Sequence, residues 1–427
     1  MEETRHNAVL GESLYINRLQ NGLTCYIMPK KNYVAQTAML CVNYGSVDAR
    51  FAQGGREYAP PKGIAHFLEH KMFEDADVNL FDEFVKQGAD VNAYTNFRST
   101  AYYFNCNERF YDNLRLLMHL VTAPHFTDEN VEKEKGIIAQ EISMYDDNPF
   151  WRGYFNMQRA MYAASAVRDN IVGDAKSISR ITPEDLHRVH SAFYRPANMA
   201  LICVGRFARE EVYKTARKAF VGTPELTATG RLCEAEPPGV AANLVSGDMS
   251  LSKPIFSLGF KDVAGEMFRT AKESSTKVAA TKVLMDILAG ASSELFNALY
   301  REGLVTTPIS LEYISGRGFS QAVFGAASSE PEQVRERILC EIKKTRRRGV
   351  DTTRFEQIRN KHVGRFFRLF NSIDAMRNLQ ADLFASGDAD ADIFGLFEAY
   401  AELKAKDLDA RLQGLFREDN YVLSIMR

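Results

Sequence analysis

Apolar residues recur along the chain at two spacings, which predicts an alternation of strands and helices. Apolar runs that follow turn signals such as Asn21-Gly22 indicate strands. Apolar residues three and four apart, such as Leu114, Leu117 and Val121, indicate amphipathic helices. In the first half we predict strands at 23–29, 35–44, 101–105 and 199–205, the first two paired antiparallel, and helices at 62–73, 80–87, 109–123, 128–145, 181–194 and 209–220.

The second half repeats this order of elements. We predict strands at 254–260 and 320–326 and helices at 275–290, 294–301, 332–348 and 352–370. When residues 126–142 are laid beside 350–366, Glu134 falls on Ile358 and Glu141 falls on Arg365. The order of elements therefore predicts a gene duplication in which only one copy keeps the chemistry.

Residues 221–250 are rich in proline and glycine and show no periodicity, so we interpret them as an interdomain linker. The linker divides the chain into a first domain, 1–220, and a second domain, 251–427. A length of 427 residues suits two domains of about 200 residues each.

Composition narrows the classes of function. The formal net charge is −2 and no basic stripe is present, so neither a nucleic acid nor a membrane is predicted as a partner. No run approaches the length of a membrane span, and no signal peptide is visible at the N-terminus. The six cysteines are scattered without a CxxC pair, so we expect a cytoplasmic location and no disulfide framework.

The segment GIAHFLEHKMFE contains the candidate chemistry. On a helix, His66 and His70 lie four residues apart on one face, so both can reach one zinc ion. Glu69 lies beside them and can reach water at the metal without being a ligand. The order H-x-x-E-H reverses that of the common zinc proteases and is the inverzincin motif.

A catalytic zinc site needs a third protein ligand. The predicted helix 128–145 offers Glu134 and Glu141, which are two turns apart and share a face. Glu141 would complete the metal site, and Glu134 would hydrogen-bond a histidine or the substrate region. Each feature alone has an ordinary explanation, because H-x-x-x-H pairs occur by chance and glutamates often mark a solvated face. Their joint occurrence on predicted helices favours the metal site.

The sequence resembles the pitrilysin, insulinase and mitochondrial processing peptidase family of inverzincins over essentially its whole length. The resemblance lies in GIAHFLEHKMFE, in VNAYTNFRSTAYYF, in VEKEKGIIAQEI, in residues 178–194 and in NMALICVG. It is nearest to bacterial members with a single pair of repeats, often found as adjacent paired genes. It implies an α+β fold of two similar domains, each a mainly antiparallel sheet covered by helices, duplicated and facing each other across a cavity.

The resemblance also implies one Zn²⁺ per chain. It assigns the metal ligands to His66, His70 and Glu141, the base to Glu69 and the supporting acid to Glu134. The substrate is expected to add as a strand to an exposed sheet edge, where Asn92 and Ala93 match the Asn-Ala of the family. The alternative is that Asn92 only ends a turn.

One feature of active family members is missing from the second domain. These members carry an Arg and a Tyr that bind the substrate backbone and polarise the scissile carbonyl. The alignment places Tyr300 and Thr306 at those positions. Either Arg301 or Tyr313 stands in, with Arg301 the expected substrate-binding residue, or another subunit supplies the pair, as in the paired-subunit members of the family.

We therefore predict a zinc endopeptidase that hydrolyses peptides or unfolded segments, as a heterodimer with a related subunit or as a homodimer. Two other classes stay open: a non-catalytic scaffold subunit, and a peptide-binding module with structural zinc. The intact metal residues argue against the first class. Glu69 argues against the second, because a structural zinc site has no use for a base beside a ligand. A metal assay and a Glu69→Gln variant discriminate between these classes.

Overall fold

The computed structural model describes residues 2–76, 78–221, 229–262, 270–388 and 390–427, so part of the predicted linker, 222–228, lies outside the described residues. The helices are α1 Ile64–Lys71, α2 Leu80–Lys86, α3 Phe110–Thr122, α4 Asp128–Asp146, α5 Pro149–Met161, α6 Ala175–Ile178, α7 Pro183–Phe193, α8 Arg209–Ala219, α9 Ala271–Ala289, α10 Glu294–Arg301, α11 Pro331–Arg348, α12 Thr352–Leu369, α13 Ile373–Ala385, α14 Ile393–Glu402 and α15 Ala405–Gly414. The strands are β1 Glu2–Asn7, β2 Glu12–Arg18, β3 Thr24–Pro29, β4 Gln36–Val42, β5 Phe51–Gln53, β6 Arg56–Tyr58, β7 Ala89–Thr95, β8 Thr100–Cys106, β9 Met199–Gly205, β10 Gly230–Arg231, β11 Leu244–Gly247, β12 Ile255–Lys261, β13 Ser310–Gly316, β14 Phe319–Ala327 and β15 Tyr421–Met426.

The chain forms two compact units that exchange helical segments. Unit 1 comprises the chain up to Ile142, Asn170–Leu232 and Phe367–Gly387, and unit 2 comprises Ser143–Asp169, Cys233–Phe366 and Asp388–Arg427. This division differs from the predicted contiguous domains 1–220 and 251–427, because α5 belongs to unit 2 and α13 to unit 1. The physical reason is packing: α5 covers β12 and β15, whereas α13 covers β4 and β9.

The main sheet of unit 1 has the strand order β1-β2-β3-β9-β4-β8-β7. Neighbouring strands in this sheet run antiparallel, except for β3 and β9, which run parallel. β4 and β9 are buried along their whole length and form the centre of the core. The predicted pairing of β3 with β4 is wrong, because β9 returns from far along the chain and lies between them. Turn signals report local connections and cannot reveal such a long-range pairing.

The sheet of unit 2 repeats this topology. Its order is β11-β15-β12-β14-β13, and only the first pair is parallel. Position by position this matches β3-β9-β4-β8-β7 of unit 1, which confirms two similar α+β domains with mainly antiparallel sheets. β11 lies inside the predicted linker 221–250. Its four residues are too few to give a periodic signal.

Two further observations concern the whole described chain. The cysteines are free thiols, and four of them, Cys25, Cys41, Cys106 and Cys203, are buried. Among the described residues, no helix combines the length and the apolar character that crossing a bilayer requires.

Candidate active site

The helix that carries the H-x-x-E-H motif starts at a position that requires glycine. Gly63 has φ +86°, and a Cβ atom there would lie 2.6 Å from the carbonyl oxygen of Val172. The helix α1 then packs Phe67 and Leu68 fully into the core. Burial of these apolar side chains fixes the rotation of α1, so that the motif residues face α4.

His66, His70 and Glu141 converge on one point between α1 and α4. Nε2 of His66 lies 3.6 Å from Oε1 of Glu141, and Nε2 of His70 lies 3.6 Å from its Oε2. The ligand atoms of the three side chains all lie within 4.8 Å of one another, and within the described ranges no other group of histidine, cysteine or acidic residues does so. Two imidazole nitrogens and one carboxylate oxygen are a donor set used by catalytic zinc. The residues therefore fit the metal.

Glu134 lies behind this donor set and orients one histidine. It is buried, and its Oε1 is 3.0 Å from Nδ1 of His70. Burial alone would raise the pKa of Glu134, but the hydrogen bond and charge of His70, with the charges of Lys71 and Lys133, hold that pKa below its usual value. The carboxylate holds the ring so that Nε2 of His70 faces Glu141.

The carboxylates of Glu69, Glu134 and Glu141 also change the pKa of His70. Burial lowers the pKa of His70, but its hydrogen bond to Glu134 and the charges of Glu69, Glu134 and Glu141 outweigh burial, so the pKa lies above its usual value. The site is therefore rich in negative charge, as a site for a divalent cation should be.

Glu69 lies beside the three donors but outside their group. Its side chain is buried, and its Oε2 accepts a hydrogen bond of 2.6 Å from Oγ1 of Thr95. Burial is the main reason that the pKa of Glu69 lies above its usual value, although His66, Thr95 and His70 oppose it. A carboxylate with a raised pKa next to a metal site is suited to accept a proton in catalysis.

Asn92 and Ala93 lie on β7, the edge strand of the unit 1 sheet. β7 pairs only with β8 among the described strands, so it has no strand partner on its other side in the described sheet. The side chain of Asn92 is exposed, and its Oδ1 accepts a hydrogen bond of 2.8 Å from the backbone N–H of Ala93. The expected substrate-binding residues thus occupy a strand edge.

The remaining expected substrate-binding residue, Arg301, lies in unit 2 at the end of α10. It is exposed, and its Nε donates to the carbonyl oxygen of Asn297 at 3.1 Å. Its role stays a prediction. Tyr313 is not available as a surface donor, because it is buried and its hydroxyl lies 3.0 Å both from Oδ2 of Asp262 and from Oγ of Ser320.

The equivalent helix pair of unit 2, α9 and α12, carries an ion cluster in place of the donor set. Asp286 on α9 lies 2.8 Å from Nζ of Lys361 and 3.0 Å from Nε2 of His362 on α12. Arg365, which matches Glu141 in the duplicated register, lies 4.0 Å from the same carboxylate. A cation therefore occupies the position of the predicted metal ligand in the second copy.

Two residues that touch the site were not predicted. Thr95 follows Ala93 by two residues, and side chains two apart on a strand lie on the same face. The sequence pattern could therefore have indicated Thr95 as a residue near the site. Lys71 is completely buried, contacts Glu74 and lies 3.7 Å from Glu134. No sequence signal marks it, because lysines on helices are nearly always exposed.

A duplicated α+β chain with a His-His-Glu donor set on an inverted motif has the architecture of a two-domain metallopeptidase. Comparison with protein families supports this class. The family profile described as "Insulinase (Peptidase family M16)" matches residues 33–174, and the profile described as "Peptidase M16 inactive domain" matches residues 180–361. The chain belongs to the M16 family, the pitrilysin and insulinase peptidases.

Individual relatives agree with this assignment. The chain is 36% identical to the uncharacterized zinc protease YmfH of Bacillus subtilis (strain 168), with 86% of each chain covered. The crystal structure of a candidate M16-like peptidase from Alicyclobacillus acidocaldarius has a TM-score of 0.92 at 34% identity and covers 100% of this chain and 98% of that one. A probable mitochondrial-processing peptidase subunit beta from Arabidopsis thaliana is 25% identical over 60% of this chain and 48% of its own length.

Proposed function

We propose that this chain is a zinc-dependent endopeptidase that hydrolyses peptides or unfolded segments bound as an added strand at β7. The observation that carries the proposal is the convergence of His66, His70 and Glu141, with Glu69 held beside them but outside the donor group. The zinc protease names of relatives support the same chemistry.

Each residue then has a separate task. His66, His70 and Glu141 would hold the zinc ion, which when bound supplies a Lewis acid for the scissile carbonyl and lowers the pKa of water. Glu69 takes a proton from the attacking water and later delivers it to the leaving amine. Glu134 keeps the ring of His70 in place through Nδ1.

The substrate class follows from the edge strand. An extended chain can pair its backbone with β7 and bind with little dependence on side chains. Asn92 and Ala93 would bind that backbone. A folded protein offers no free strand, so we expect short peptides and unfolded segments to be cut and native proteins to be spared.

A related subunit is the proposed partner. The second domain has Tyr300 and Thr306 where active members carry the Arg and Tyr pair, so a partner of the same fold would supply these donors in a heterodimer. A homodimer is the alternative. The name of the Arabidopsis relative describes a subunit, which agrees with a paired arrangement. The cytoplasmic location stays a prediction.

The missing Arg and Tyr pair also favours one other function, a non-catalytic peptide-binding or scaffold subunit of a paired complex. Such a chain would bind peptides at β7 with the same affinity when Glu69 is replaced by Gln, and it would cleave none. Cleavage by the native chain excludes this alternative.

Metal analysis tests the proposal. We expect one zinc per chain after metal-replete purification, and neither zinc nor peptide cleavage in the double variant His66→Ala, His70→Ala. His119→Ala is the control, because His119 also pairs with a carboxylate of unit 1, Asp75, at 2.7 Å but lies outside the donor group. A native protein without zinc, or a double variant with full activity, contradicts the proposal.

A further inference from the structure

Thr95 is the last residue of β7, the strand that also carries Asn92 and Ala93. Side chains on a strand alternate between its two faces, so Thr95 shares the face of Ala93. From this position Oγ1 of Thr95 reaches Oε2 of Glu69 on α1 at 2.6 Å. One hydroxyl thus joins the expected substrate strand to the expected base.

The surroundings of Thr95 direct its hydroxyl hydrogen toward Glu69. Thr100 lies directly opposite on β8, with the two Oγ1 atoms 3.3 Å apart. Thr100 has one hydroxyl hydrogen, and its Oγ1 donates to the carbonyl oxygen of Tyr44 at 3.0 Å. The other acceptors near Thr95, Oγ1 of Thr100 and the carbonyl oxygen of Ala65, are farther away, at 3.3 Å and 3.5 Å. The short contact to Glu69 is therefore the bond that the Thr95 hydroxyl makes.

A buried carboxylate needs such a partner, because burial without a hydrogen bond is costly. The bond occupies Oε2 of Glu69, so in the proposed function Oε1 would be the atom that takes the proton of the attacking water. Threonine is stiff about χ1, so its hydroxyl is held in one direction better than that of an unbranched residue.

We propose that Thr95 is a positioning residue. Its hydroxyl orients the carboxylate of Glu69 and links the position of this base to β7, the strand that is proposed to bind the substrate. This inference rests on the proposed function. The hydrogen bonds of Thr95 go to Glu69, Thr100 and Ala65 and to none of the three metal donors, so we expect its role to be separate from metal binding.

Three variants test the inference: Thr95→Val, which keeps the shape and loses the hydroxyl; Thr95→Ser, which keeps the hydroxyl; and the control Thr37→Val. Thr37 is a buried threonine of the same sheet whose hydroxyl donates to the carbonyl oxygen of Phe104 at 2.8 Å. The measurements are kcat and KM on a peptide, the zinc Kd by competition with a chelator, and Tm with and without zinc. Activity is measured with the related subunit present.

For Thr95→Val we expect kcat to fall roughly 10- to 100-fold, because a small displacement of a catalytic group has effects of that size. KM and the zinc Kd should stay within about twofold of the native values, since neither depends on the Thr95 hydroxyl. Thr95→Ser should recover most of kcat. Thr37→Val should lower Tm and leave kcat close to native. If Thr95→Val does not fold, Thr95→Ala takes its place against Thr95→Ser.

The inference is overturned if kcat of Thr95→Val equals that of the native protein, if Thr95→Ser and Thr95→Val lose kcat equally, or if the zinc Kd rises in step with the loss of kcat. Failure of the proposed function gives a different result. In that case the native protein cleaves no peptide even with its partner, or Glu69→Gln is as active as native, and the inference falls with it.

Discussion

Three glutamates share one site, and their surroundings separate their tasks. Glu69 is buried and has a raised pKa, which suits a base. Glu134 is bound to His70 and has a lowered pKa, which suits a fixed anion. Glu141 faces Nε2 of both histidines, which suits a ligand. The sequence predicts that these residues belong together, but hydrogen bonds and burial distinguish their tasks.

A second residue-scale result is the ion cluster of unit 2. The hydrogen bonds and charges of His362 and Lys361 outweigh the burial of Asp286 and lower its pKa to about 2. A lowered pKa in the folded state gives stability that is present above the unfolded pKa of about 4 and is lost as pH falls toward 2. We expect Asp286→Asn to lower the free energy of unfolding by about 2 kcal/mol at pH 7.

Chemical unfolding at pH 7 and near pH 3 checks this prediction. The difference between Asp286→Asn and native should shrink to about half near pH 3. Asp409→Asn, an exposed position of α15 in the same unit, is the control and should change stability little at either pH. An equal effect of both variants at pH 7 would show that the cluster does not stabilise unit 2.

At the scale of elements, the sequence predicts only part of the structure. The elements α5, α13, α14, α15 and β15 have no predicted counterpart, although most of them are long or well buried. β9 and α10 have the predicted bounds, and α1 was predicted as 62–73 against the observed Ile64–Lys71. β1 escaped prediction because its sequence, EETRHN, is polar and mostly exposed. The predicted helices 62–73 and 128–145 correspond to α1 and α4, the two helices of the site. Residue spacing predicts only that Glu134 and Glu141 share a face, and the distances to His66 and His70 are what place Glu141 nearest to their Nε2 atoms.

The helices α5 and α13, each of which packs on the sheet formed by the other half of the chain, show that a sequence pattern does not predict which sheet a helix covers. An apolar helix face predicts burial without specifying which sheet it will cover. α5 covers the sheet of unit 2 and α13 covers that of unit 1, although each follows a long helix of the other unit. The duplicated topology explains the symmetry of this exchange, since α5 and α13 occupy equivalent places after α4 and α12.

The packing of α5 on β12 depends on a glycine. A Cβ atom on Gly259 would lie 2.5 Å from Sδ of Met157 and 2.5 Å from Cε of Met161, so these side chains would have to move. We expect Gly259→Ala to lower the free energy of unfolding by about 1 kcal/mol, because the methionine side chains are flexible but have little room to move in the buried core. Thermal unfolding measures this.

Gly325→Ala on the neighbouring strand β14 is the matched control. A Cβ atom there has its nearest contact at 3.6 Å, an ordinary distance. It should be neutral or slightly stabilising, because alanine restricts the unfolded chain. If Gly259→Ala is as stable as Gly325→Ala, close packing of α5 against β12 does not limit stability.

At the scale of the whole molecule, the sequence alignment predicts that the second domain lacks the Arg and Tyr pair, and this leads to a prediction about assembly. A donor that polarises the scissile carbonyl is worth roughly 10²–10³ in rate. We therefore expect peptide turnover to rise by about that factor when a related M16 subunit from the same organism is added. In this mixture, Arg301→Ala should change peptide turnover little. If the chain alone is as active as the mixture and Arg301→Ala abolishes activity, Arg301 is the chain's own substrate-binding residue.

The central claim is that Glu69 activates water at a zinc ion held by His66, His70 and Glu141. The most direct measurement is peptide cleavage by Glu69→Gln, assayed with zinc content on the same sample and with the related subunit present. The account predicts one zinc per chain and a loss of cleavage of roughly 10²-fold or more relative to native protein. Native-like cleavage by zinc-loaded Glu69→Gln would contradict it.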